Sequence, residues 1–237
     1  MYLARFSVIL LAALLSACSA STNPVMQSMQ YLVKSNGSVT EVNLNPDFRY
    51  LRIVADGRVV FLALGNEDKD ARGAVEVWYS AKHEVLRLQN GRLVGAVGLN
   101  TEWRSVALPV LPSWSDLART ENPTRWTRIR DVMPGYRFGV QDALVLRRVA
   151  APDKSEMQGL DPDTLTWFEE QADAGSSLRD TGAALDQALP LARYAVDLRD
   201  AKEAVVYGEQ CLTAELCFSW QRWPAATIRG SQSPAER

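Results

Sequence analysis

The feature that most constrains the fold is a series of short apolar segments punctuated by two-residue turn pairs. Residues 49–55 and 58–64 flank Asp56-Gly57, and residues 84–89 and 92–99 flank Asn90-Gly91. Both pairs favour the type I′ turn, whose two central residues take a positive φ that Asn, Asp and Gly tolerate. The spacing predicts hairpins in succession, with further strands at 74–79, 102–108, 126–132 and 136–149, the last two joined through Pro134-Gly135. In the second of these arms Tyr136, Phe138 and Val140 alternate with Arg137, Gly139 and Gln141, the pattern of a half-buried antiparallel strand. Strands at 164–170, 204–210 and 216–223 complete the set, and the intervening 172–190, rich in Ala, Gly, Ser and Asp, reads as a loop with room for a short helix at 178–189 that Gly182 weakens. Prolines at 109, 112 and 123 mark a break between two hairpin-rich halves. The expected fold is all-β, an antiparallel barrel or sandwich built of hairpins with few or no helices.

The start of the chain is of a different kind. Arg5 precedes an apolar run from Phe6 to Leu15, and Leu15-Ser16-Ala17-Cys18 follows. The run is short for a bilayer span and has the charged, apolar and small-residue order of a secretory signal. A cysteine directly after the small residues is the arrangement of a bacterial lipobox. The expected organisation is therefore a signal over 1–17, a lipidated tether over 18–30 that begins at Cys18, one β-rich periplasmic domain over 31–224 and a flexible tail over 225–237. Several acyl chains at ~0.8 kcal/mol per buried methylene hold such a domain to a membrane almost permanently. Ser19 follows Cys18 where an inner-membrane retention signal would place Asp, so the expected location is the outer membrane, facing the periplasm.

Charge narrows the partners. The formal net charge is −2 with no basic block, which gives no reason to expect nucleic acid or an anionic lipid patch as a ligand. With Cys18 taken by lipid, Cys211 and Cys217 remain as a pair in an oxidising compartment. One histidine in the whole chain leaves a zinc site dependent on carboxylates, and the spacing is not that of a C-x-x-C redox pair. A structural disulfide is the favoured reading.

Sequence patterns of catalysis are sparse. His83 lies in a turn, no serine stands in a G-x-S-x-G elbow, and there is neither a Gly-rich phosphate loop nor H-E-x-x-H. The carboxylate pairs Glu169-Glu170 and Asp161/Asp163 read as solvated, and no cofactor is expected. Seven tryptophans stand out more. Most are expected to fill a β core, but Trp103 in Glu-Trp-Arg and Trp223 in Gln-Arg-Trp-Pro have polar neighbours and are the candidates for an exposed stacking platform or interface anchor.

The segments Val75-Glu-Val-Trp-Tyr-Ser80, Glu84-Val-Leu-Arg-Leu-Gln-Asn-Gly-Arg-Leu93 and Thr101-Glu-Trp-Arg104 recur in order with Tyr207-Gly-Glu-Gln-Cys211 and Phe218-Ser-Trp-Gln-Arg-Trp-Pro224. Together with the lipobox they resemble the YjbF/GfcB family of group 4 capsule polysaccharide lipoproteins. The resemblance implies an accessory, non-catalytic lipoprotein of exopolysaccharide or capsule secretion, contacting export proteins, the polymer, or both. It implies no catalytic residue. Two other readings compete: an envelope-assembly or lipid-carrier lipoprotein with an apolar chamber, and a polysaccharide-modifying enzyme with two carboxylates across a cleft.

Overall fold

In the computed structural model, residues 44–173, 188–199 and 203–225 are described. Twelve strands run up and down in chain order and close on themselves: β1 (Tyr50–Ala55), β2 (Arg58–Asp68), β3 (Val75–Tyr79), β4 (Val85–Gln89), β5 (Arg92–Val97), β6 (Glu102–Ala107), β7 (Thr124–Met133), β8 (Arg137–Val149), β9 (Thr166–Ala172), β10 (Ala192–Asp197), β11 (Ala204–Cys211) and β12 (Cys217–Trp223). Closure comes from β12 pairing with β1, with Trp223 opposite Tyr50 and Trp220 opposite Ile53. In the closed barrel every strand has a paired neighbour on both sides, although β5 and β6 meet only through Ala96 and Trp103. The anticipated turns form as their chemistry requires: Asp56, Gly57, Asn90 and Gly91 all have positive φ. At Gly91 a side chain is also excluded by space, since a Cβ there would stand 2.4 Å from Val205.

Side-chain alternation sorts the strands into two faces. One face carries Leu51, Ile53, Leu62, Trp78, Leu86, Leu88, Phe168, Tyr194, Val196 and Trp220, all in a single buried cluster that forms the interior. Gly208 lies opposite Trp220 in the β11–β12 ladder and lets the indole lie flat across it, for a Cβ would stand 2.7 Å from the ring. The outward face of β9–β12 and β1 is also covered. Residues 150–165 cross it as a strap, burying Trp167, Ala195 and Tyr207 against Met157 and Leu160. Paired hydrogen bonds fix the strap: Gln158 N donates to Gln221 Oε1 (2.8 Å), Gln221 Nε2 returns to Gln158 O (2.6 Å), and Arg52 Nη1 donates to Glu156 O (2.9 Å).

Three differences from the sequence reading have physical causes. The proline-rich stretch holds a short helix, α1 (Trp114–Arg119), capped by Ser113, whose hydroxyl accepts from Asp116 N, and tied down by Glu203, which accepts from the backbone N–H groups of Trp114 and Ser115. That stretch is no boundary, because β6 and β7 on either side of it pair directly. Strand β10 follows the 172–190 segment and carries no clear sequence signal; the helix expected at 178–189 lies largely outside the described residues, and Ala188 and Leu189 are not helical. Third, Tyr136 and Phe138 are exposed rather than half-buried: Tyr136 lies in the turn itself, at positive φ, and a bulge at Phe138–Gly139 interrupts the β7–β8 register before Val140 turns toward the interior. Cys18 and the tether lie outside the described residues, as does the tail after Ala225. No helix among the described residues is long and apolar enough to cross a membrane.

Cys211 and Cys217 are disulfide-bonded at opposed positions of the β11–β12 hairpin. The loop they close is shorter than the fifteen residues for which loop entropy yields about 3 kcal/mol, so Cys211→Ser with Cys217→Ser should cost less than that. The expected result is a modestly lower thermal midpoint with the barrel retained; an unchanged midpoint would show that the bridge adds nothing to stability.

Candidate functional site

The interior is not purely apolar. In β7 the inward residues are Trp126, Arg128, Arg130 and Val132, all buried, while Ile129 faces outward. Asp142 of β8 lies opposite Arg128 in the ladder and serves both arginines: Arg128 Nε donates to its Oδ2 at 2.8 Å, Arg130 Nε to the same oxygen at 2.7 Å, and Arg130 Nη2 to Oδ1 at 3.1 Å. Burial pushes the Asp142 carboxyl up, but the two guanidinium groups outweigh it and hold the group below its ordinary value. Trp103 of β6 lies beneath both cations, with Arg128 4.6 Å and Arg130 5.0 Å from its ring centre.

A second buried group sits beside the first. Arg92, at the start of β5, lies 3.9 Å above the Trp114 ring of α1, and its Nε stands 4.0 Å from Glu170 Oε2 in β9, an ion-pair separation longer than a hydrogen bond. Tyr194 OH donates to Glu170 Oε1 at 3.3 Å. Burial raises the Glu170 carboxyl above its ordinary value, against the opposing pull of Arg128 and Arg92. The Trp114 ring also contacts Phe168 and Tyr194, with centroids 5.0 and 5.3 Å away, so α1 seals this group from the outside. Glu170 thus departs from the solvated reading, because strand alternation turns it inward, while Glu169 bridges Arg147 and Arg193 on the outer surface.

The two tryptophans singled out by sequence occupy different environments. Trp103 is 1 % exposed and its Nε1 donates to Leu212 O at 3.2 Å, so it presents no free face; its polar neighbours Glu102 and Arg104 point to the other side of the strand and pair with each other. Trp223 ends β12 half-buried, 6.0 Å from the Phe61 ring on the outer surface where residues 44–48 also pack. His83 is exposed in the β3–β4 turn. Two neighbouring depressions lie beside α1: a small cleft against β8–β9, lined by Leu117, Thr120, Leu146 and Phe168 among others, holds about 50 Å³, and a broad, open one lined by Ala118, Arg119, Glu121 and Arg148 among others holds about 910 Å³. Among the described residues no three His, Cys, Asp or Glu side chains are placed to hold a metal ion.

These features describe a closed antiparallel barrel whose charged groups brace one another inside. The family model described as "Group 4 capsule polysaccharide lipoprotein gfcB, YjbF" matches residues 23–177, and the chain belongs to that family. Among solved structures it resembles the hypothetical lipoprotein YmcC from Escherichia coli K12, at 15% sequence identity and a TM-score of 0.50, over 76% of this chain and 85% of that one. At that identity the likeness concerns the fold. A search of curated proteins finds no match.

Proposed function

We propose that this chain is an outer-membrane lipoprotein, anchored through Cys18 and facing the periplasm, that assists export of a capsule or exopolysaccharide by holding the polymer or an export protein rather than by transforming it. Membership of the capsule polysaccharide lipoprotein family is the observation that carries this reading. The lipobox at Cys18 and the Ser19 that follows support the anchor and its membrane. Against a lipid carrier stands the content of the interior, where Trp78, Trp103, Trp220, Phe168 and Tyr194 fill the space an acyl chain would need. Against a polysaccharide-modifying enzyme stands the engagement of the carboxylates Asp142 and Glu170 with arginines inside the barrel. Residues 31–224 are proposed to act as one domain on a tether long enough to stand clear of the bilayer. Trp223, at the barrel rim, remains a candidate interface anchor.

The test is a clean deletion complemented with wild type or with Cys18→Ser. Secreted polysaccharide should fall in the deletion strain and return with the wild-type gene. The variant should lack acyl chains by mass spectrometry, leave the outer-membrane fraction and fail to restore secretion. Normal secretion from the deletion strain overturns the assignment to export, and wild-type protein cut elsewhere without acyl chains overturns the anchor.

A further inference from the structure

The barrel has two poles. The chain enters at Tyr50 and leaves at Trp223 side by side, and because successive strands alternate in direction the β7–β8 turn lies at the other pole. Strand β8 is the longest, at 13 residues, and runs roughly 40 Å from that turn toward the pole where β1 begins. The turn carries the two most exposed aromatic rings among the described residues, Tyr136 at 76% and Phe138 at 65%. Large rings in water at a turn are costly to leave there without use.

Their presentation is built. Gly139 has φ +66°, the left-handed conformation of a β-bulge, and Asp131 Oδ1 accepts from Gly139 N at 2.9 Å across the hairpin. The extra residue leaves Asp131 facing the Phe138–Gly139 pair, so that Val140 points inward while Phe138 and Gln141 both face out. Ile129, opposite Gln141, extends the outward stripe. The result is a strip of ring, amide and aliphatic surface on a backbone fixed by strand pairing and the Asp131–Gly139 bond.

We infer that the β7–β8 tip is a carbohydrate platform on which Tyr136 and Phe138 stack against the C–H faces of a pyranose chain, with the Gln141 amide bonding a ring hydroxyl. This deepens the proposed function and rests on it for the class of polymer. Two observations favour a glycan over other occupants. The rings are at the pole opposite the one where β1 begins and β12 ends. The patch sets two ring faces beside the polar Gln141 and the glycines Gly135 and Gly139, the mix of stacking surface and hydrogen-bonding group that a pyranose needs.

The test uses the full-length lipoprotein in detergent and the polysaccharide purified from the producing strain, with affinity electrophoresis as the readout. Wild type should be retarded by the polymer. Tyr136→Ala with Phe138→Ala should weaken retardation at least about tenfold with the thermal midpoint unchanged, as expected when aromatic anchors are lost from a contact. Gln141→Ala should weaken it less, and Phe138→Tyr should keep it. Equal retardation of wild type and the double variant, or none for either, overturns the inference. So does a double-variant defect found instead in binding to phosphatidylethanolamine–phosphatidylglycerol vesicles, which would make the tip a membrane contact, or in self-association by sedimentation, which would make it a dimer contact. In cells, normal secretion with the double variant beside lost secretion in the deletion strain overturns the platform and leaves the role in export standing.

Discussion

Asp142→Asn is expected to destabilise the barrel by about 3–5 kcal/mol at neutral pH, because it takes from the buried Arg128 and Arg130 the one carboxylate hydrogen-bonded to both. The asparagine amide keeps the volume and one acceptor, so the loss measures charge rather than space. The pH dependence has a definite sign. The folded Asp142 carboxyl ionises below its ordinary value of 3.8, so its contribution is fully present above that pH and is lost as pH falls through the folded value. Denaturant unfolding of both proteins should therefore show the gap between them narrowing in acid. Glu170 contributes with the opposite sign: its folded carboxyl ionises above the ordinary 4.5, so its share is complete below 4.5 and declines as pH rises through the folded value. A gap between wild type and Asp142→Asn that stays constant from neutral pH down to pH 2 would contradict the assigned role of Asp142.

The same pair of strands explains what the sequence conveys and what it conceals. Eleven of the twelve strands are legible, since their alternation and the Asp-Gly and Asn-Gly turns are local properties of the chain. Strand β10 is not, because Ala-Arg-Tyr-Ala-Val-Asp is short, half its residues carry no strand preference, and no turn pair introduces it. Helix α1 leaves a faint signal in Ser113 and Asp116, a cap and a first-turn acid that the surrounding prolines obscure. The interior charges are hidden by a sound rule meeting an exception. In Trp-Thr-Arg-Ile-Arg-Asp-Val the rule that apolar residues face inward offers no clean choice, since Ile129 shares a face with Thr127 and Asp131 while Arg128 and Arg130 share one with Trp126 and Val132. Only the partner Asp142, fixed by β8 register, and the Trp103 ring from β6 make the arginine face the inner one. The exposed rings depart from the alternation for local reasons: Tyr136 belongs to the turn, and at Phe138 a bulge resets the alternation by one residue, which Gly139 alone hints at.

Trp103→Ala is expected to cost about 3–5 kcal/mol, the range for removing a large aromatic side chain from a filled interior. The ring does three things at once. It fills the interior opposite Val132, its Nε1 donates to Leu212 O next to the disulfide hairpin, and its face supports the Arg128 and Arg130 cations. Alanine opens a cavity, strands a buried carbonyl and removes the aromatic support, so the variant should be depleted from the envelope as well as less stable in vitro. Trp103→Phe separates these effects: it keeps most of the volume and a ring face and loses the hydrogen bond, for about 1–3 kcal/mol. A residue whose task was to stack on a ligand would behave otherwise, with alanine sparing stability and abundance while polymer binding fell. Trp223 offers the contrast in one protein, since its half-buried rim position makes Trp223→Ala the milder change in stability. Equal abundance and equal unfolding midpoints for wild type and Trp103→Ala would show that the ring is dispensable to the interior and return it to the surface role suggested by its charged neighbours in sequence.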